Sequence, residues 1–95
     1  MAVYAASKGA IDSFTIGLAG EVGKQGIRVA GIRPGMIATD ILEPIGGEEL
    51  MRRVGPTIPI GRVGQPEEIA QAAIWLLSPA ASYIHGTTID VSGGR

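Results

Sequence analysis

The chain has 95 residues, 45% of them hydrophobic and 18% charged, with a formal net charge of −1 and no cysteine. That balance describes one globular domain and leaves no disulfide framework or thiolate metal site. Arg52-Arg53 is the only basic doublet, so the composition gives nucleic-acid binding no support. No apolar run approaches the ~18 residues of a membrane span and no signal peptide is read, which fits a cytoplasmic protein. A chain this short buries a smaller share of its surface than a full-size domain, and a thin margin of stability is expected.

Residues from about Val3 to Val22 read as a helix. Ile11, Phe14, Leu18 and Val22 fall at helical spacing and predict its core stripe. Ala5, Ala6, Gly9, Ala10, Gly17 and Gly20 make the helix rich in small residues. Interior glycine costs about 1 kcal/mol relative to alanine, so close packing on the sheet or on a partner helix is expected in return. Gly23 and Gly26 bracket the stop. Ile27 to Ile32 reads as a short strand, and a buried parallel strand tolerates Ala30 and Gly31. Pro34-Gly35 is expected to break the ladder and turn the chain.

Met36 to Ile60 reads as a long irregular stretch holding Pro44, Gly46, Gly47, Gly55, Pro56 and Pro59. A short helix is expected over Glu48 to Val54, with Leu50, Met51 and Val54 on one side. Loops this long in compact domains are usually lids or binding loops. Gln65-Pro66-Glu67-Glu68 is a helix start: proline suits the first helical position and the glutamates suit the positive end of the dipole. Ile69, Ala73, Leu76 and Leu77 supply its apolar face, and Ser78-Pro79 ends it. Thr87 to Val91 reads as the last strand, followed by an irregular Ser92-Gly93-Gly94 tail.

The order helix, strand, long loop, helix, strand fits an α/β unit with parallel strands. Two parallel strands alone make a poor sheet, because such sheets are normally wider and buried on both faces. The strand after the first helix would carry an unpaired edge, and an unpaired edge invites another chain. The 95 residues are therefore expected to need more sheet or a partner.

Chemistry enters at Tyr4-Ala5-Ala6-Ser7-Lys8. Residues i and i+4 share a helix face, so the phenol and the ammonium serve one site. A nearby cation favours a phenolate over a phenol. The pair suits proton transfer in a carbonyl/alcohol interconversion. Downstream come Ile32-Arg33-Pro34-Gly35-Met36-Ile37-Ala38-Thr39-Asp40 and Gly86-Thr87-Thr88-Ile89-Asp90-Val91-Ser92-Gly93-Gly94. In this order the three segments resemble the C-terminal part of the short-chain dehydrogenase/reductase family, through essentially the whole chain. The motifs are most similar to the group of 3-oxoacyl carrier-protein reductases and sugar or polyol dehydrogenases.

The resemblance implies the C-terminal portion of a Rossmann-like, doubly wound parallel sheet. Residues 1–95 would form a single partial domain with 36–60 as a substrate-side lid. It implies NAD or NADP as cofactor, with the choice between them made by residues not in this sequence. Tyr4 would be the catalytic acid/base. Lys8 would hold the nicotinamide ribose hydroxyls and favour the phenolate. Pro34-Gly35 would turn the strand end toward the nicotinamide, and the Ile37 backbone and Thr39 hydroxyl would contact its carboxamide. Thr39-Asp40 also suits simple capping of a following turn. Ile41, Leu42, Ile45, Leu50 and Met51 lean toward a hydrophobic or mixed substrate, or are ordinary lid packing. The implied partners are a small carbonyl or alcohol substrate and further copies of the chain, as a dimer or tetramer.

The family's glycine-rich pyrophosphate turn and its catalytic serine have no counterpart in these residues. Gly61-Arg62-Val63-Gly64 is too short for such a turn, and Gly23-Lys24 lacks the upstream glycine and following Ser/Thr of a P-loop. The 95 residues are thus expected to be inactive alone, completed by a missing N-terminal half. A second reading stays open: a non-enzymatic module that pairs with a full-length relative through its strand edge and small-residue helix face. His85, the only histidine, is expected to cap a turn or face solvent. Trp75 is expected to pack, and Arg95 could pair with a neighbouring subunit. No residue set suggests a metal centre.

Overall fold

The computed structural model describes residues 1–39 and 46–95. It contains three α-helices, α1 (Ala2–Val22), α2 (Gly47–Val54) and α3 (Pro66–Leu77), and two strands, β1 (Ala30–Pro34) and β2 (Thr87–Val91), among the described residues. The strands form a two-stranded sheet. The Gly86 N–H donates to the Val29 carbonyl at 2.7 Å, and the Gly35 N–H donates to the Val91 carbonyl at 3.1 Å. Both strands advance together along this ladder, so the pairing is parallel.

The described residues divide into two compact units, Met1–Ile32 with Trp75–Ile89, and Arg33–Ile74 with Asp90–Arg95. In the first unit α1 runs its expected length, and Gly26 ends the following single turn of 3₁₀ helix in the left-handed region, at φ 77°. A residue without a Cβ takes that conformation freely. The expected core stripe is corrected. Thr15 and Ala19 are the buried residues of α1, whereas Ile11 and Phe14 are 59% and 65% exposed. Leu18 and Val22 are half-buried. The small residues expected to pack, Ala5, Ala6, Gly9, Ala10, Gly17 and Gly20, are exposed as well.

The reason is distance. The segment around Gly86 passes so near α1 that a Cβ on Gly86 would stand 3.3 Å from the Ala19 Cβ. Only a short side chain fits at position 19. Thr15 meets its own polar need by donating its hydroxyl to the Ile11 carbonyl at 2.8 Å.

His85 is exposed, as one of its two expected placements has it, and it also joins elements. Its Nδ1 accepts the Val29 N–H at 3.1 Å, and its Nε2 lies 2.8 Å from the Ala19 carbonyl. Because Nδ1 accepts, Nε2 carries the proton and donates. Arg28 donates to the Ala81 and Ser78 carbonyls at 2.9 and 3.2 Å, which caps the C-terminal end of α3. In α3, Leu76 is buried and Ile69 and Ala73 are half-buried, but Leu77 is 82% exposed, outside the face assigned to it. Trp75 is also largely open.

β1 begins in the first unit, later than expected, and runs into the second through Pro34. The Gly35 N–H faces β2, so by strand alternation the Pro34 nitrogen faces the other way. Its missing N–H takes no bond from this ladder, and Pro34 ends the strand without breaking it. Gly35 allows the strand ends to close: a Cβ there would meet the Ser92 Cβ at 2.7 Å and its Cα at 2.8 Å. The helix expected within the long stretch is α2, with Leu50, Met51 and Val54 half-buried. Its acids lie in the first turn and its arginines in the last, as the helix dipole favours. Ile58 is buried. Arg95 donates to the Thr57 hydroxyl at 3.2 Å within its own chain. No helix among the described residues is long and apolar enough to cross a membrane.

Candidate active site

Tyr4 and Lys8 occupy the first turns of α1 in the first unit. The Lys8 Nζ lies over the Tyr4 ring, 5.2 Å from its centroid. One helical turn brings the two side chains to the same face, and the ring quadrupole attracts the ammonium. Tyr4 is 57% exposed, so its hydroxyl is open to a small molecule. Ser7, between them, turns inward on the helix and donates to the Tyr4 carbonyl at 2.7 Å. A phenol with a cation on one exposed face can give or take a proton at a bound oxygen.

Pro34, Gly35, Ile37 and Thr39 lie in the second unit, at and beyond the C-terminal end of β1. In parallel α/β sheets this is the end at which ligands bind. Ile37 forms an isolated parallel bridge with Gly64. The Gly64 N–H donates to the Met36 carbonyl at 3.0 Å, and the Ala38 N–H donates to the Gly64 carbonyl at 2.9 Å. The bridge thus uses the groups flanking Ile37 and turns the N–H and carbonyl of Ile37 itself away from Gly64. Among the described residues the Ile37 N–H has no acceptor. Gly64 leaves room for the tip of the Ile37 side chain, which would have to shift if a Cβ stood there, 2.8 Å from Cδ1. Thr39 is exposed. Asp40, and with it the capping turn read at Thr39-Asp40, lies outside the described residues, as do Ile41, Leu42 and Ile45 of the lid.

Reading motifs missed a cluster beside this bridge. Arg62 makes a bidentate pair with Glu68, Nη1 to Oε1 at 2.7 Å and Nη2 to Oε2 at 2.9 Å. Glu68 Oε1 also accepts the Gln65 N–H at 2.9 Å, and Arg62 Nη1 donates to the Val63 carbonyl at 3.2 Å. The Arg62 guanidinium, first, and the Gln65 N–H hold the Glu68 carboxyl down to about 2. The same pairing raises Arg62 above its ordinary value. A glutamate three residues after the residue preceding a helix is the capping-box spacing, so the signal was present in Gln65-Pro66-Glu67-Glu68.

Two clefts adjoin these residues. One, of about 70 Å³, is lined by Met36, Ile37, Arg62, Gly64, Glu68 and Ser92 among others. It has room for a few waters and is far below the few hundred Å³ of an ordinary ligand pocket. The other, of about 380 Å³ and open, is lined by Ala38, Glu48, Met51, Arg52, Arg62 and Gln65 among others. Its size suits a small molecule, and α2 forms one wall.

The family described as enoyl-(acyl carrier protein) reductase matches residues 1–95. The chain is 53% identical over 92 residues to an uncharacterized oxidoreductase of Escherichia coli (strain K12), covering 97% of this chain and 37% of that one. It is similar to the structure of a 7 alpha-hydroxysteroid dehydrogenase complexed with NADH and 7-oxo glycochenodeoxycholic acid. There the TM-score is 0.88 at 44% identity, covering 99% of this chain and 37% of that one. It is also similar to the structure of a 3-oxoacyl-[acyl-carrier protein] reductase with bound NAD from Brucella melitensis. That match has a TM-score of 0.78 at 42% identity and covers 96% of this chain and 32% of that one. The chain thus spans about a third of the length of the relatives it matches.

Proposed function

The chain belongs to the short-chain dehydrogenase/reductase family of oxidoreductases, and on that footing we propose that it carries the proton-transfer and nicotinamide-holding part of an NAD(P)-dependent enzyme. The reaction would interconvert a secondary alcohol and a ketone or 3-oxoacyl compound. The observation that carries this reading is the Lys8 ammonium standing 5.2 Å over the exposed Tyr4 ring.

When bound, the dinucleotide supplies or accepts a hydride at the substrate carbon. In reduction the Tyr4 hydroxyl gives its proton to the carbonyl oxygen, and in oxidation Tyr4 takes the proton back. Lys8 would hold the nicotinamide ribose hydroxyls. The Ile37 N–H, without an acceptor among the described residues, and the exposed Thr39 hydroxyl suit a planar carboxamide, which offers both an acceptor and a donor. Pro34 and Gly35 set the turn that presents them. The open cleft lined by Met51 and Arg52 is of a size to take a small substrate. Residues 1–95 form one partial domain of the Rossmann-like fold. They would hold the nicotinamide end of the cofactor. Val3, Ile11 and Phe14 are exposed along one side of α1, which supports a homo-oligomer, dimer or tetramer, joined through that helix.

Tyr4→Phe tests the assignment in the whole protein that carries these residues. Turnover of a ketone or 3-oxoacyl substrate with NADH or NADPH should fall by about 10²–10⁴-fold, the usual worth of a positioned acid/base. Stability should barely change, because the hydroxyl makes no bond among the described residues. Near-normal turnover in the variant defeats the role given to Tyr4.

A further inference from the structure

We propose that Arg62 and Glu68 are positioning residues for the cofactor: they strap the 62–65 loop to the start of α3, and through Gly64 that loop aims the Ile37 N–H at the nicotinamide carboxamide. The inference rests on the functional reading above.

The argument follows the hydrogen bonds. Residues 36–38 extend past the end of β1, where β2 no longer supports them. Their described backbone partner is Gly64, which takes the Ala38 N–H and gives its own N–H to Met36. A parallel bridge orients one residue, and here it leaves the Ile37 N–H facing the opposite side. Its direction is therefore only as well defined as the backbone of Gly64. Glycine is the residue least able to define its own backbone, so the definition has to come from its neighbours.

Those neighbours are fastened on both sides. Before Gly64, the Arg62 guanidinium binds Glu68 through two nitrogens and the Val63 carbonyl through one. After Gly64, the Gln65 N–H donates to the same Glu68 carboxylate. One carboxylate on the first turn of α3 thus closes the loop around Gly64. A bidentate guanidinium–carboxylate pair fixes direction as well as distance. With side chains 53% and 40% exposed, the pair adds little stability. Its contribution is to geometry. The adjoining 70 Å³ cleft is too small for a nicotinamide ring or a substrate, so the polar groups lining it serve the backbone and not a ligand of their own.

The test compares two ligands in the whole protein. NADH or NADPH carries the nicotinamide; ADP-ribose, or its 2′-phosphate, does not. Glu68→Ala removes both fastenings. The variant should bind the dinucleotide about tenfold more weakly, the worth of one misaligned hydrogen bond. Its affinity for the ADP-ribose ligand should stay within about twofold of the wild type, since no nicotinamide contact is involved. Glu68→Gln keeps an acceptor for Gln65 and Arg62 and should restore most of the dinucleotide affinity. If Glu68→Ala fails to fold, Arg62→Met breaks the strap from outside the helix, with the same expectation. Equal weakening of both ligands, or of neither, overturns the proposal. A wild-type protein that binds the dinucleotide no better than ADP-ribose, or binds neither, overturns the functional reading instead.

Discussion

One added methyl group should move stability in opposite directions at Gly35 and at Gly9. At Gly35 a Cβ would stand 2.7 Å from the Ser92 Cβ, 2.8 Å from its Cα and 3.1 Å from its carbonyl oxygen. Carbon atoms in contact prefer about 3.5–4.0 Å, so the intruding carbon is most of an ångström too near two carbons at once. One of those is backbone and cannot rotate away. The Gly35 N–H is bonded to the Val91 carbonyl at 3.1 Å, so the strand ends cannot part without stretching that bond. Overpacking of this kind costs about 1–3 kcal/mol. At roughly 2–8 °C per kcal/mol for domains of ~60–250 residues, Gly35→Ala should lower Tm by at least about 2 °C. At Gly9 no atom lies within 4 Å, and the residue sits inside α1. Alanine there should stabilise by about 1 kcal/mol through helix propensity alone. Urea and thermal unfolding followed by far-ultraviolet circular dichroism measure both. An unchanged midpoint for Gly35→Ala refutes the close approach of the strand ends. A loss at Gly9 shows another backbone lying against that face of the helix.

Two further outcomes are expected. The Glu68 carboxyl is held at about 2 against an ordinary 4.5, so its contribution to stability is whole above about 4.5 and is lost as pH falls through about 2. The exposed pair should show only faintly in Tm against pH, so the check is an NMR titration of the Glu68 carboxyl, and an ordinary carboxylate midpoint would count against the pairing. His85→Leu removes the acceptor of the Val29 N–H and one of two donors to the Ala19 carbonyl, which keeps the Gly23 N–H. It should cost about 0.5–1.5 kcal/mol and speed hydrogen exchange at the Val29 amide, and unchanged exchange there would mean that the ring does not hold the approach to β1.

Elements whose signals are local were readable. Pro66 with Glu67 and Glu68 marks the start of α3, and Ser78-Pro79 marks its end, because caps and prolines act within one turn. The strand Thr87–Val91 lies where its β-branched residues placed it. The face of α1 was not readable. Ile11, Phe14 and Leu18 have the spacing of a core stripe, but spacing reports only which residues share a side, not which side meets a neighbour. That choice is made by Gly86 and His85, which come close enough to exclude anything larger than Ala19.

The site divides along the same line. Tyr4 and Lys8 announce themselves because i and i+4 meet on any helix, and a 5.2 Å approach follows from the spacing. The role proposed for Ile37 is a backbone one, and a backbone N–H carries no residue signature. Its orientation is imposed by Gly64, which lies far along the chain and has no side chain to mark it. The Gly64 loop is in turn held by Arg62 and Glu68, whose pairing spans six positions and so needs the turn at Gln65-Pro66 to bring them together. Each step away from the reacting atoms therefore replaces a side chain that a motif can name with geometry that only the folded chain displays. On the proposed roles, a change at Glu68 should accordingly act on cofactor geometry and leave the proton transfer itself untouched, although no reading of Tyr4 and Lys8 would point to that residue.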